Sequence, residues 1–183
     1  MDILRRRVIK AGLGIGAAIW LRPSDIFAQA QPLIQKKIPS SGETIPIIGI
    51  GTARRYEDVK NDAEKAPLSE TIRQFQSLGG KVIDSSPSYG TAEAVVGELV
   101  QGLKVRDSLF LATKVSLRDL GRAEGLKQIE ESFKKYRTNM IDLIAVHNLR
   151  DTDTQLATLR EMKQAGRIRY VGITTSFPKQ YKE

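Results

Sequence analysis

Five short apolar runs recur along the chain at intervals of about thirty residues, and helical patterns fill the gaps between them. The runs are Ile47 to Gly51, Lys81 to Asp84, Leu109 to Thr113, Ile141 to Val146 and Arg169 to Ile173. In the gaps, Leu68, Ile72 and Phe75 fall on one helical face, as do Val95, Val96, Leu99 and Val100. Leu126, Ile129 and Phe133 do so in the third gap, and Leu156, Leu159 and Met162 in the fourth. Gly79-Gly80 and Gly166 end two of these helices, where glycine accepts the left-handed conformation that closes a last turn. Strand, helix and strand at this spacing form the βαβ unit, which joins neighbouring strands in parallel. The fold class is therefore α/β with a parallel sheet. Ahead of the first unit, two extended runs flank Ser40-Ser41-Gly42 and predict a β-hairpin. An open doubly wound sheet and a (β/α)₈ barrel both fit this pattern, and both collect their chemistry at the carboxyl ends of the strands.

The strand ends carry a particular set of groups. Asp84 closes the second run, and Tyr89 lies in the small-residue loop "SSPSYGTAE" after it. Lys114 closes the third run, and His147, the chain's single histidine, closes the fourth. Each alone has an ordinary reading: a turn-capping acid, a loop aromatic, a solvated lysine, a histidine bonded to a carbonyl. Three successive strands delivering complementary groups to one edge is a more demanding coincidence. A phenol with a pKa near 10 becomes a usable proton donor and acceptor when an ammonium beside it stabilises the phenolate. An aspartate can hold that ammonium, and a neutral imidazole can bond a substrate oxygen.

The segments "GIGT", "VIDSSPSYGTAE", "LFLATKV", "IDLIAVHN" and "RYVGITTS" resemble the successive strand-end motifs of the aldo-keto reductases, a family of (β/α)₈ barrels. The Asp-x₄-Tyr-Gly-x₂-Glu pattern is carried by Asp84, Tyr89, Gly90 and Glu93, and the likeness runs from about Ile38 to Ser176. It implies a partial barrel over 31–183, with about five βα units and a hairpin at its bottom. It also implies NADPH-dependent reduction of an aldehyde or ketone, with Asp84, Tyr89, Lys114 and His147 catalytic. In that reading Tyr89 donates the proton, Lys114 paired with Asp84 lowers the Tyr89 pKa, and His147 orients the carbonyl. Thr52 is implied to lie near the cofactor. Thr174 and Thr175 stand where many relatives use Ser-Asn to hold the nicotinamide carboxamide.

The first thirty residues follow a different plan. A basic start, the apolar run Ala11 to Leu21 and the small-x-small triplet Ala28-Gln29-Ala30 make up an export signal. "RRRVIK" gives it a twin-arginine character, which predicts a periplasmic protein. The apolar run is too short for a hydrocarbon core of ~30 Å, so no stable membrane span is expected once the signal is removed. Gly12-Leu13-Gly14-Ile15-Gly16-Ala17 satisfies a dinucleotide fingerprint, but it lies inside this segment, without the strand and helix that the motif needs. The net charge of +8 also owes much to Arg5, Arg6, Arg7 and Lys10. Later basic residues are interspersed with acids, which argues against nucleic-acid binding. The chain has no cysteine, so disulfides, thiolate chemistry and Cys-based zinc sites are excluded.

A complete barrel of this kind takes ~250 residues, against 183 here. The expectation is a chain that lacks three βα units, and with them much of the cofactor site, leaving open sheet edges. Three readings stay open: a truncated reductase inactive alone, one piece of a split enzyme completed by another chain or by self-association, and a non-catalytic exported half-barrel that binds a protein partner through its edge.

Overall fold

A computed structural model describes residues 33–182. Strands β1 (Gln35–Lys37) and β2 (Thr44–Pro46) form an antiparallel hairpin. The main sheet follows as β3 (Gly49–Gly51), β4 (Val82–Asp84), β5 (Phe110–Val115), β6 (Ile141–His147) and β7 (Ile168–Thr174). Between them run α1 (Asp62–Ser77), α2 (Ala92–Leu103), α3 (Arg122–Tyr136) and α4 (Thr152–Gln164). All five strands are parallel and lie in sequence order. This is the α/β architecture the thirty-residue rhythm predicts, and it matches the opening portion of a (β/α)₈ barrel behind a hairpin. The export signal expected in the first thirty residues lies outside the described residues.

Boundaries move by a residue or two. Ile47 donates its amide to Ile34, so it extends the hairpin ladder instead of opening β3. A 3₁₀ turn, Arg106–Ser108, occupies the approach to β5, which continues through Lys114 to Val115. Gly42, Gly79 and Gly166 adopt φ of 75°, 87° and 71°, turning the hairpin and ending α1 and α4. The other two helices close on non-glycine residues, Lys104 and Arg137, both left-handed. Asn61 starts α1 by accepting from the Glu64 amide at 3.0 Å, while Glu64 reaches back to the Lys60 amide at 2.8 Å.

Strand register divides the sheet into two faces. Ile83, Leu111, Val115, Ile144 and Val146 share the first, and all are essentially inaccessible to solvent. They form the core with Ile72, Val96, Ile129, Phe133 and Leu159 of the four helices. Each such side chain contributes roughly 1.5–3 kcal/mol when removed from water. The opposite face holds Gly51 at the end of β3 and Ala112, Ala145 and Gly172 within their strands. Those small residues leave the strand ends room for chemistry.

The hairpin is fastened at the opposite, amino-terminal end. Arg169 pairs with Asp142 at 2.7 Å and with Glu43 of the hairpin. Tyr170 reaches Ser41 at 2.7 Å and also bonds Glu43. Asp142 is 2% exposed and further accepts from Arg106 at 2.9 Å and the Leu111 amide at 2.8 Å. Among the described residues, no helix is long and apolar enough to cross a membrane.

Candidate active site

Residues two apart on a strand point the same way. Register pairs Asp84 with Ala112, Lys114 with Ala145, and His147 with Thr174. Asp84, Lys114, His147 and Thr174 therefore project from one face at the carboxyl end of the sheet. The structure thus brings the three strand-borne residues Asp84, Lys114 and His147 to the same face.

Lys114 is the anchor. It is 7% exposed, and its Nζ donates to both carboxylate oxygens of Asp84, at 2.9 and 2.8 Å, and to the Ser85 carbonyl at 2.6 Å. Three acceptors for three N–H bonds satisfy the buried ammonium completely. Thr52 lies beneath this pair, fully buried, with its hydroxyl on the Asp84 carbonyl at 3.0 Å and on Ser85 Oγ at 2.8 Å. Its role in the chain is to brace the Asp84–Ser85 corner.

Tyr89 arrives from the β4–α2 loop. Its amide bonds Ser86 at 3.0 Å, and its carbonyl accepts from Ala92 at the start of α2 at 2.9 Å. The loop is clipped to the one after β3, since Thr91 Oγ1 donates to the carbonyls of Tyr56 and Glu57, each at 3.1 Å. Gly90, at φ 49°, makes the approach possible: a Cβ there would sit 2.2 Å from the Glu57 carbonyl oxygen. The Lys114 Nζ stands 5.5 Å from the centre of the Tyr89 ring. Here the structure corrects the expectation of a lowered phenol pKa. Burial, then the charges of Asp84 and Glu57, push the Tyr89 phenol above its ordinary value. The ammonium bonds Asp84 and faces the ring instead of bonding the phenol oxygen. Tyr89 consequently holds its proton at neutral pH, as a proton donor must.

His147 places Nδ1 3.0 Å from Ser116 Oγ, just past β5. Burial and the nearby Lys114 charge lower its pKa, with Asp84 opposing. The ring is neutral at neutral pH, and its free nitrogen can face a substrate oxygen. It opens on a cleft of about 700 Å³ lined by Leu117, Leu120, Leu149, Arg150 and Phe177. The loops around it are tied together: Asp151 accepts from the Gly121 amide and from Gln155, both at 2.9 Å.

Thr174 stands level with His147 at the end of β7. Thr175 follows, with its hydroxyl donating to Gln180 and accepting from the Phe177 amide at 3.0 Å. Sequence reasoning missed Ser85 and Ser116. Both contact their partners across about one βα repeat, 33 residues from Thr52 to Ser85 and 31 from Ser116 to His147. That separation was the available signal, but serines after strands are too common for it to pick these two out.

Residues 47–183 match the aldo/keto reductase family. Aldo-keto reductase YhdN of Bacillus subtilis is 30% identical over 150 residues, covering 75% of this chain and 45% of that protein. Methylglyoxal reductase YeaE of Escherichia coli is 32% identical over 145 residues, covering 76% and 49%. The chain thus spans about half the length of the curated relatives it matches. Among solved structures, an aldo-keto reductase from Klebsiella pneumoniae in complex with NADPH superposes with a TM-score of 0.69 at 24% identity, over 82% of this chain and 53% of that one.

Proposed function

This chain belongs to the aldo/keto reductase family, and from that premise we propose that it carries the catalytic end of an NADPH-dependent reductase of aldehydes or ketones. The observation that supports this most is the Asp84–Lys114–Tyr89 cluster, with a satisfied buried ammonium beside a protonated phenol and a neutral His147 on the same face. The residues present fit a nicotinamide at the strand ends. Gly51 and Gly172 keep the inner face low: a Cβ at Gly51 would meet nothing within 4 Å, and at Gly172 only side-chain carbons at 3.4 and 3.6 Å. Thr174 offers a hydroxyl at the rim, the Thr175 hydroxyl beside it is bonded to Gln180 and Phe177, and Thr52 braces the corner beneath. NADPH, when bound, supplies the hydride.

The chain's own groups do the rest. His147 turns its unbonded nitrogen to the carbonyl oxygen and fixes its direction. Tyr89 gives that oxygen its proton, and Lys114 stabilises the phenolate left behind through its charge at the ring. Asp84 keeps Lys114 in place. The relatives named methylglyoxal reductases make small aldehydes the first substrates to try. NADPH consumption with such an aldehyde should fall roughly a hundredfold or more in Tyr89→Phe, the span attributed to a positioned proton donor. Equal rates in the two proteins would refute the assignment.

A second reading rests on the outer strands. Among the described residues, β3 and β7 each pair on one side only, which favours a complementing chain, self-association or a protein partner at the edge. We also propose export by the twin-arginine route to the periplasm, carried by "RRRVIK" and Ala28-Gln29-Ala30. Replacing Arg5 and Arg6 by lysine should retain the protein in the cytoplasm, read by fractionation.

A further inference from the structure

Glu93 completes the Asp-x₄-Tyr-Gly-x₂-Glu pattern, yet the reaction above leaves it without a task. It points away from the strand-end site, into the layer between sheet and helices, and is 1% exposed. One carboxylate oxygen accepts from Thr113 Oγ1 at 2.6 Å, and Thr113 is also 1% exposed. The other oxygen has no hydrogen-bond partner among the described residues, and Lys135 Nζ stands 3.5 Å from it. Burying a carboxylate costs several kcal/mol unless it is paired, and a leucine here would fill the same space. The placement of the two partners supplies a reason to keep the acid. Glu93 is the second residue of α2 and stands four residues beyond Tyr89, which lies in the loop leading into that helix. Thr113 directly precedes Lys114 in β5.

We propose that Glu93 is a positioning residue: its bond to Thr113 locks the loop that carries Tyr89 against the strand that carries Lys114, fixing phenol and ammonium relative to each other. The inference rests on the reading of those two groups as proton donor and its stabiliser. Neighbouring contacts make the lock rigid. A Cβ at Gly97 would lie 2.1 Å from the Lys135 carbonyl oxygen, so α3 comes close enough to set Lys135 beside Glu93. The buried Tyr136 bonds the Ala112 carbonyl at 3.3 Å, one residue before Thr113. From the other side, Lys114 is tied to the Ser85 carbonyl and Thr52 to Ser85 Oγ. The Tyr89 phenol is thus approached by Lys114 from β5, Asp84 from the end of β4 and Glu57 from the loop after β3, while Glu93 acts on it through the backbone alone.

The test follows the Tyr89 phenol carbon by NMR across pH, with its resonance identified by its absence in Tyr89→Phe, alongside kcat and KM for NADPH and methylglyoxal. Thr113→Val and Glu93→Met should shift the Tyr89 titration by about half a pH unit or more and lower kcat roughly tenfold, with KM little changed. Thr113→Ser and Glu93→Gln keep donor and acceptor, and should return both quantities to the wild-type values. A Tyr89 titration that does not move in folded Thr113→Val overturns the proposal. So does a Glu93→Gln variant that moves it as far as Glu93→Met, because the charge and not the hydrogen bond would then be at work. If Val and Met fail to fold, Ser and Gln decide alone, since any change in their titration counts against the lock. A wild-type protein that turns over no carbonyl, yet whose Tyr89 titration responds as described, would support the lock and sink the reductase reading.

Discussion

At the scale of single residues, the site is built from groups held out of water and matched to partners. Asp84 and Lys114 differ in exposure, with side chains at 48% and 8%. The lysine therefore depends on the pair more than the aspartate does. Asp84→Asn removes a charge but leaves the ammonium buried, and should cost about 1–3 kcal/mol of unfolding free energy, read in urea. Lys114→Met removes the buried charge itself and should cost less, despite losing the same contact. His147 makes a pH-dependent prediction. Its pKa is lowered from 6.5 in the folded chain, so between that value and its folded one the unfolded state binds more protons. Its contribution to stability is full above pH 6.5 and falls as the solution is acidified. In His147→Gln that loss should be absent, so the difference in Tm between the two proteins should change between pH 7 and pH 5. A constant difference would mean that His147 is not perturbed as described.

At the scale of elements, the helices decide how closely the loops can meet. The crossing of α2 and α3 depends on Gly97, which sits where a Cβ would clash with the Lys135 carbonyl oxygen and lie 2.7 Å from Tyr136 Cα. Backbone cannot swing aside as a long side chain can. Gly97→Ala should therefore force α3 outward and cost about 1–3 kcal/mol, against a gain of up to about 1 kcal/mol expected from helix propensity alone. Thermal unfolding would show which effect wins, and an unchanged or raised Tm would mean that the helices adjust without strain. Gly90 plays the comparable part between loops, letting the β4–α2 turn press on Glu57. Elements joined through such glycines move as units, which is why a bond between Glu93 and Thr113 can reach a phenol four residues away in the loop before α2.

For the whole molecule, the thirty-residue rhythm did more than assign secondary structure, because it also set which residues could touch. Lys114 meets Asp84 across 30 residues, Ser116 meets His147 across 31, and Gln155 meets Gly121 across 34. Each contact spans one βα unit, so strand direction and the gathering of Asp84, Lys114 and His147 at the strand ends were legible from periodicity. The sequential strand order was implied only by the family resemblance, because a doubly wound sheet fits the same rhythm. What periodicity could not reach was orientation within a loop. The side on which the ammonium meets Tyr89 depends on how Asp84 and Ser85 divide its protons, and the inward turn of Glu93 depends on the start of α2. The same repeat leaves its mark at the sheet's margins. β3 has three residues, two of them glycine, whereas β7 has seven, and Ile173 near its end is 58% exposed. The longer, more apolar margin is the one prone to add a strand. Purified chain should associate as its concentration rises, through β7 in preference to β3. Ile173→Lys puts on that strand the charge by which edge strands are commonly blunted, and should return the protein to a monomer in sedimentation velocity. Ile48→Lys, beside β3, should leave association unchanged. If neither substitution alters the sedimentation profile, the contact lies elsewhere and β7 is not its surface.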